Sequence, residues 1–448
     1  LLDRHIENGM VWQLSRGCPY ACEFCYDGMG DRKVRRYPLE RLEQELAYLV
    51  ERGASQIFAL DSTFNTDKKR AKHLLRLIRD RAPGVHFHFE VRHELLDKEQ
   101  AALFAGLTCS VQIGLQSADP AVAGGVGRSF NRDDFTSKVM LLNNSGATFG
   151  FDLIYGLPDD SFAKFREGLN FALSLYPNHL DIFPLAVLPG TKVAHKAAGI
   201  GMRHLPEPPY TLLESASFPL AEMEKARQLG GASDIFYSRG KAVAWFNGVA
   251  RGLKLKPVEL LELFADWLQR RIGRMPDEAE LDDQQIWQLQ RRFLTGLCEQ
   301  RKAQKLLPAA LDCVDYHYAY GVALMAVPPI PPDDEQLLKL DLLNMRLQRA
   351  SSLTLLPFHY EILDILDSGE PDLAWISKQL KQTGSWAAIY PAHGEVCTES
   401  LIRPYYRLLE GLDGTRTAGV IAKQLRIPAV EALEFLQFAL AEGIVTAG

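Results

Sequence analysis

Over its first 190 residues the chain alternates short apolar stretches of strand character with segments of helical spacing. The apolar stretches are MVWQLS (10–15), QIFAL (56–60), VHFHFEV (85–91), SVQIGL (110–115), TFGFDLIY (148–155) and HLDIFPLAVL (179–188). Between them lie PLERLEQELAYLVERG (38–53), DKKRAKHLLRLIRDR (67–81), DKEQAALFAG (97–106), RDDFTSKVMLLNNSG (132–146) and SFAKFREGLNFALSLY (161–176). Strand, helix and strand in succession are joined right-handedly and pair in parallel. The alternation therefore predicts an α/β fold on a parallel sheet of six strands.

The loop after the first strand, SRGCPYACEFCYDG (15–28), holds three of the seven cysteines: Cys18, Cys22 and Cys25. Gly17 and Pro19 favour a tight loop there. A disulfide would leave one thiol over. A zinc site wants a fourth ligand, and neither a nearby His nor a second Cys pair supplies it. A CxxC redox pair at Cys22 and Cys25 leaves Cys18 unexplained. A [4Fe–4S] cluster held by three thiolates uses all of them and leaves one iron open to a substrate or cofactor. Cys109, Cys298, Cys313 and Cys397 are scattered and read as small buried hydrophobes. An odd, unpaired set argues against a disulfide framework and for a reducing compartment, the cytoplasm.

CxxxCxxC with Phe24 before the last cysteine resembles the radical SAM superfamily. That resemblance implies a (β/α)6 partial TIM-like barrel with its chemistry at the C-terminal strand ends. It implies a [4Fe–4S] cluster on Cys18, Cys22 and Cys25, whose open iron chelates S-adenosylmethionine (SAM), with Phe24 beside the cofactor. An external electron donor then drives cleavage of SAM to methionine and a 5′-deoxyadenosyl radical. ALDSTFN (59–65) ends the second strand with Asp61, Ser62 and Thr63, where the superfamily often faces the methionine amino group with a glycine-rich segment. GLQS (114–117) and DLIYGLP (152–158) are similar to the coproporphyrinogen dehydrogenase and cobalamin-dependent branches. By that likeness Glu90, Gln116, Arg128 and Asp152 contact the ribose and carboxylate of SAM. The chemistry agrees, because a diol takes carboxylate or amide acceptors and a carboxylate takes a guanidinium.

The opening stretch, MVWQLSRGCPYACEFCYDGMGDRKVRRYPLERLEQEL (10–46), is most similar to the cobalamin-dependent branch, many of whose members are methyltransferases. In that branch a cobalamin-binding domain precedes the barrel. The 448 residues start at Leu1, about where such a domain would end, and read as the ordered part of something longer. The expected activity is methyl transfer to an unactivated carbon, with cobalamin as further cofactor. The alternative is cobalamin-free hydrogen abstraction for oxidation, cyclisation or peptide modification. The substrate is a small molecule or a peptide. Catalytic residues beyond the cofactor contacts are not assigned.

A net charge of -6 does not favour nucleic acid, and RKVRR (32–36) reads as a solvated loop. No apolar run approaches the roughly 20 residues of a membrane span. The expected division is a barrel over 1–202, a helical domain over 203–330 and a C-terminal region over 331–448. Tyr316, His317 and Tyr318 read as a helix packing face. Residues 405–448 read as a small module resembling a winged helix, with Thr415 and Thr417 as candidate N-caps. Val430, Leu433, Leu436 and Leu440 form its expected buried face. Its last helix region, PAVEALEFLQFALAEG (428–443), has neither Lys nor Arg, so DNA is not its partner.

Overall fold

Six strands pair in chain order into one parallel sheet: β1 (Met10–Trp12), β2 (Gln56–Ala59), β3 (His86–Val91), β4 (Cys109–Gln116), β5 (Phe149–Tyr155) and β6 (His179–Pro184). The computed structural model describes residue 6, residues 9–29 and residues 32–447. Five of the helices that cross between the strands are α1 (Leu39–Glu51), α2 (Lys68–Arg81), α3 (Lys98–Ala105), α4 (Arg132–Ser145) and α5 (Phe162–Leu173). The architecture is the expected α/β fold on a six-stranded parallel sheet, consistent with a partial barrel of βα units. Four of these helices start where the sequence supplies an oxygen: Asp67, Asp97, Asn131 and Ser161 each accept from a backbone N–H of the first turn.

Alternation along the strands builds the core. Phe87, Phe89 and Val91 of β3, Val111, Ile113 and Leu115 of β4 and Phe149, Phe151 and Leu153 of β5 are buried. They meet the helices, as in Phe89 against Phe104 of α3 (5.7 Å) and Phe151 against Phe135 of α4 (5.4 Å). The intervening positions carry His86, His88, Glu90, Ser110, Gln112 and Asp152, which the period of two sends to the other face. RKVRR does not stay a plain loop: Arg35–Arg36 pairs antiparallel with Ser15–Arg16.

The chain divides into two compact units, residues 1–239 with 256–278, and residues 240–255 with 279–448. The stretch 203–330, expected as one helical domain, is thus shared between them. The first unit keeps α6 (Leu220–Ser233) and α7 (Pro257–Ile272) because they have partners there. Glu262 of α7 takes Arg166 of α5 bidentately at 2.6 and 2.8 Å, and Phe264 packs on Phe236 at 4.7 Å.

The second unit contains α8 (Asp283–Gln300), α9 (Leu307–Met325) and an antiparallel sheet of Thr354–Phe358, Ser385–Ala392 and Glu395–Leu401. Tyr318 stacks on Trp287 at 4.4 Å, and the Tyr316 hydroxyl meets that of Thr398 at 3.2 Å, so this face does pack. In the tail, α10 (Arg403–Gly411), α11 (Ala418–Gln424) and α12 (Ala429–Ala441) are followed by a strand, Val445–Ala447. That strand pairs with Leu347–Arg349, and it is the only strand among the described residues of 405–448. The module is therefore not self-contained, and no two-stranded wing lies within it. Its core joins Leu408, Leu436 and Leu440 to Leu347, Ala388 and Tyr390. Val430 is 69% exposed; the buried face of α12 is Ala432, Leu436, Ala439 and Leu440. Thr417 sits at an N-cap without a side-chain bond, while the Thr415 hydroxyl donates to Asp413. No helix of the described residues is long and apolar enough to cross a membrane.

Leu436 is fully buried in that shared core. Leu436→Ala should cost about 2–5 kcal/mol of second-unit stability in a denaturant titration, the usual range for a leucine cavity.

Candidate active site

The cysteine loop leaves β1 at the C-terminal end of the sheet and is fastened by groups far along the chain. Asp61, just after β2, accepts from the backbone N–H groups of Leu14 (2.8 Å) and Ser15 (2.9 Å) and from the Ser15 hydroxyl (2.6 Å). Burial pushes its carboxyl up, against the pull of those three donors. Asp61 therefore works as the anchor of the loop and has little capacity left for a cofactor. Gly17 has φ +96°, and a Cβ there would stand 2.4 Å from the Lys33 carbonyl oxygen, so glycine is required. Glu23 donates its N–H to Val126 O (3.0 Å), accepts from Val193 N (3.1 Å) and takes Lys196 on its carboxylate at 2.6 Å.

Cys18, Cys22 and Cys25 are half-buried on this loop and form no disulfide. Burial pushes the Cys18 thiol up, and the backbone at Tyr20 and the Thr63 hydroxyl oppose it. Arg128 approaches Cys22 Sγ at 3.7 Å and donates to Gly114 O at 2.5 Å. Among the described residues no three His, Cys, Asp or Glu side chains converge on a single ion. Three thiols spread along a turn beside a guanidinium suit an anionic, multi-iron group.

The other sequence-derived residues lie around the same end of the sheet. Phe24 lines an apolar recess of about 360 Å³ with Ile154, Phe183 and Leu188. The Ser62 hydroxyl donates to Asp27 at 2.5 Å, and Thr63 donates to the Ser62 carbonyl at 2.6 Å. Gln116 ends β4 at φ +63°, a strained setting for a non-glycine residue. Its Oε1 is buried without a partner in the protein, and Gly114 leaves the room, since a Cβ there would be 2.6 Å from Gln116 Nε2. A buried amide oxygen and an arginine that lack a donor and a carboxylate partner among the described residues are what a ligand with N–H or O–H and carboxylate groups would complete.

Below Glu90 and Asp61 opens a hollow of about 750 Å³. The sequence reading missed most of its polar wall: His88, Ser110, Gln112, His179 and Asp181. Gln112 donates to Asp152 (2.6 Å) and Asp181 (2.8 Å), and its amide oxygen meets His179 Nε2 at 2.5 Å. Gly150 makes this possible, because a Cβ there would lie 2.3 Å from the His179 ring. The signal was present as polar residues recurring every second position in HFHFE, SVQIGLQ and HLDIF.

Residues 12–172 match the family model described as Radical SAM superfamily. That stretch is a radical SAM domain. The family implies a [4Fe–4S] cluster and SAM, and the thiols, Arg128 and Gln116 suit them. Among curated relatives, the 2-(S-pantetheinyl)-carbapenam-3-carboxylate methyltransferase of Streptantibioticus cattleyicolor is 26% identical over 44% of this chain and 31% of its own length. The cobalamin-dependent radical SAM methyltransferase TokK of Streptomyces tokunonensis is 25% identical over 45% of this chain and 31% of its own. The chain thus spans about a third of these relatives. Of solved structures, the radical SAM methyltransferase TsrM of Kitasatospora setae aligns with a TM-score of 0.41 at 21% identity, over 46% of this chain and 43% of that one.

Two outcomes test the radical SAM site. Asp61→Ala removes three hydrogen bonds to a buried charge, each worth about 1.5–3 kcal/mol. It should lower the iron retained after anaerobic reconstitution, measured against wild type, although Asp61 is not a ligand. The second outcome is a pH dependence. Burial, then Asp152, Asp27 and Asp181, push Glu90 up to about 7; burial, then Asp181, push Asp152 up to about 6, the Gln112 bond opposing. Between the ordinary carboxylate range and those values the folded chain holds protons that the unfolded chain has lost, so stability falls as pH rises. The Tm of cluster-free protein should drop between pH 5 and pH 7.5, and Glu90→Gln should flatten the drop.

Proposed function

We propose that the chain contains the catalytic barrel of a radical SAM enzyme that cleaves SAM reductively at a cluster on Cys18, Cys22 and Cys25 and uses the resulting radical on a substrate in the barrel hollow. The observation that carries this reading is the three-thiol loop with Arg128 at 3.7 Å from Cys22, inside a matching domain. When bound, a reduced [4Fe–4S] cluster supplies the electron for that cleavage.

The chain's own residues do the placing. Arg128 bonds Gly114 O and approaches Cys22 Sγ but forms no ion pair with a carboxylate among the described residues, which suits it to take the carboxylate of SAM. Gln116 offers its unpartnered oxygen to a hydroxyl or amino group at the same end. Glu90 and Asp152 offer acceptors to a ribose diol. Phe24 and its apolar neighbours exclude water from one side of the cluster loop. Ser62 and Thr63 shape the turn beside Cys18, and Asp61 holds that turn down.

We take methyl transfer with cobalamin as the reaction, on the strength of the two methyltransferase relatives. Methylation of an unactivated carbon needs a methyl donor beside the radical, and the cobalamin-binding domain of that branch would supply it as a separate module. The substrate, a small molecule or a peptide, would enter the hollow from the C-terminal strand ends.

Anaerobic reconstitution should give about four irons per chain and a broad charge-transfer absorption, both lost when the three cysteines are changed to Ala. Retained iron in that triple variant would remove the cluster assignment. Arg128→Ala should keep the iron but weaken SAM binding by about 2–5 kcal/mol, read by calorimetry.

A further inference from the structure

Beneath the groups expected to meet SAM, the hollow has a second tier whose chemistry the domain assignment does not explain. Its wall combines Asp181, His88, Gln112 and the ring of Phe58. Gln112 is locked: both its N–H donors go to carboxylates, Asp152 and Asp181, and its oxygen to His179. Two carboxylates sharing one NH2 group fix which end of the amide is nitrogen. The other oxygen of Asp181 is left as an acceptor, and Asp181 lines the hollow. No Lys or Arg forms an ion pair with Asp181 among the described residues; His179, whose ring burial pushes down, stands 4.0 Å from it. His88 is kept neutral, its ring pushed down to about 4 by burial and by His86 and His179. It donates no charge to the carboxylates. Asp181 thus stands in the hollow without an ion-pair partner among the described Lys and Arg residues, and Arg16, which also lines the hollow, donates to Gln13.

Phe58 adds an independent observation. It belongs to a strand interior yet is 40% exposed, and its ring stacks on His88 at 4.4 Å while its open side lines the hollow. Carboxylates together with an aromatic face form the pairing that recognises an ammonium or guanidinium group. Clustered carboxylates repel one another, and a cation among them turns that repulsion into attraction. A neutral polyol would satisfy the acceptors but leave the repulsion in place.

We propose that Asp181, with the Phe58 face, receives a protonated amine or guanidinium of the substrate, and that Gln112 and His179 position Asp181 for it. This rests on the hollow being the substrate site. It specifies the substrate class as a cation of the alkylamine type. SAM also carries an ammonium group, so the test separates the two sources.

The test uses reconstituted protein, with the cluster absorption recorded in parallel so that loss of the cluster is read apart from loss of amine binding. Calorimetry at pH 7 compares 1,4-diaminobutane with 1,4-butanediol, with and without saturating SAM. The diamine should bind, the diol should not, and SAM should leave diamine binding in place. Asp181→Asn should weaken diamine binding by roughly tenfold or more, and Asp181→Glu, which keeps the charge, should restore most of it. The proposal is overturned if neither compound binds, if the diol binds as well as the diamine, if Asp181→Asn leaves the affinity unchanged, or if SAM displaces the diamine. A common Tm for the variants excludes misfolding as the cause.

Discussion

A strand in this barrel has two faces with opposite duties, and the period of two keeps them apart. In β3 the odd-numbered residues Phe87, Phe89 and Val91 go to the helices and the even-numbered His86, His88 and Glu90 to the lumen. β4 and β5 follow the same rule, with Gln112 and Asp152 inside. A slip of one residue in register would bury the carboxylates and histidines under the helices and expose the phenylalanines. The apolar face and the reactive hollow therefore depend on one constraint. The stability of the barrel and the placement of its polar groups cannot be changed independently.

The electrostatics of the hollow follow from the same arrangement. Inward-facing carboxylates from β3, β5 and β6 stand close together, and burial with mutual repulsion holds Glu90 and Asp152 above their ordinary range. Gln112 relieves part of that by donating to both Asp152 and Asp181. The site is thus strained towards binding positive or hydrogen-bond-donating groups before any arrive, which is preorganisation in the electrostatic sense.

The barrel was legible in the sequence because each βα unit carries its own signals: an apolar run, an N-cap oxygen and a helical spacing. The cysteine loop was legible because three thiols at that spacing have few uses. Less legible was what depends on tertiary contact. Asp61 reads as a polar residue at a strand end, and only the fold shows its oxygens occupied by Leu14 and Ser15. His179 and Gly150 look unrelated until parallel pairing sets them side by side. In the tail, helical periodicity on 428–443 pointed to Val430 along with Leu436 and Leu440; the partner surface keeps those two leucines and takes Ala432 and Ala439 in place of Val430. The strand that completes the tail comes from residues 347–349, a pairing no local pattern announces.

The fastening of the cysteine loop also bears on the order of events as the chain folds. Leu14 is held by Asp61, 47 residues on, and Glu23 by Lys196, 173 residues on. Contacts of such separation form late, because closing long loops must precede any gain from them. The three thiols are therefore brought into their final turn only when β2, the segment after β4 and the helix after β6 are in place. A chain that ended at residue 60 would carry all three thiols without the residues that fasten their loop.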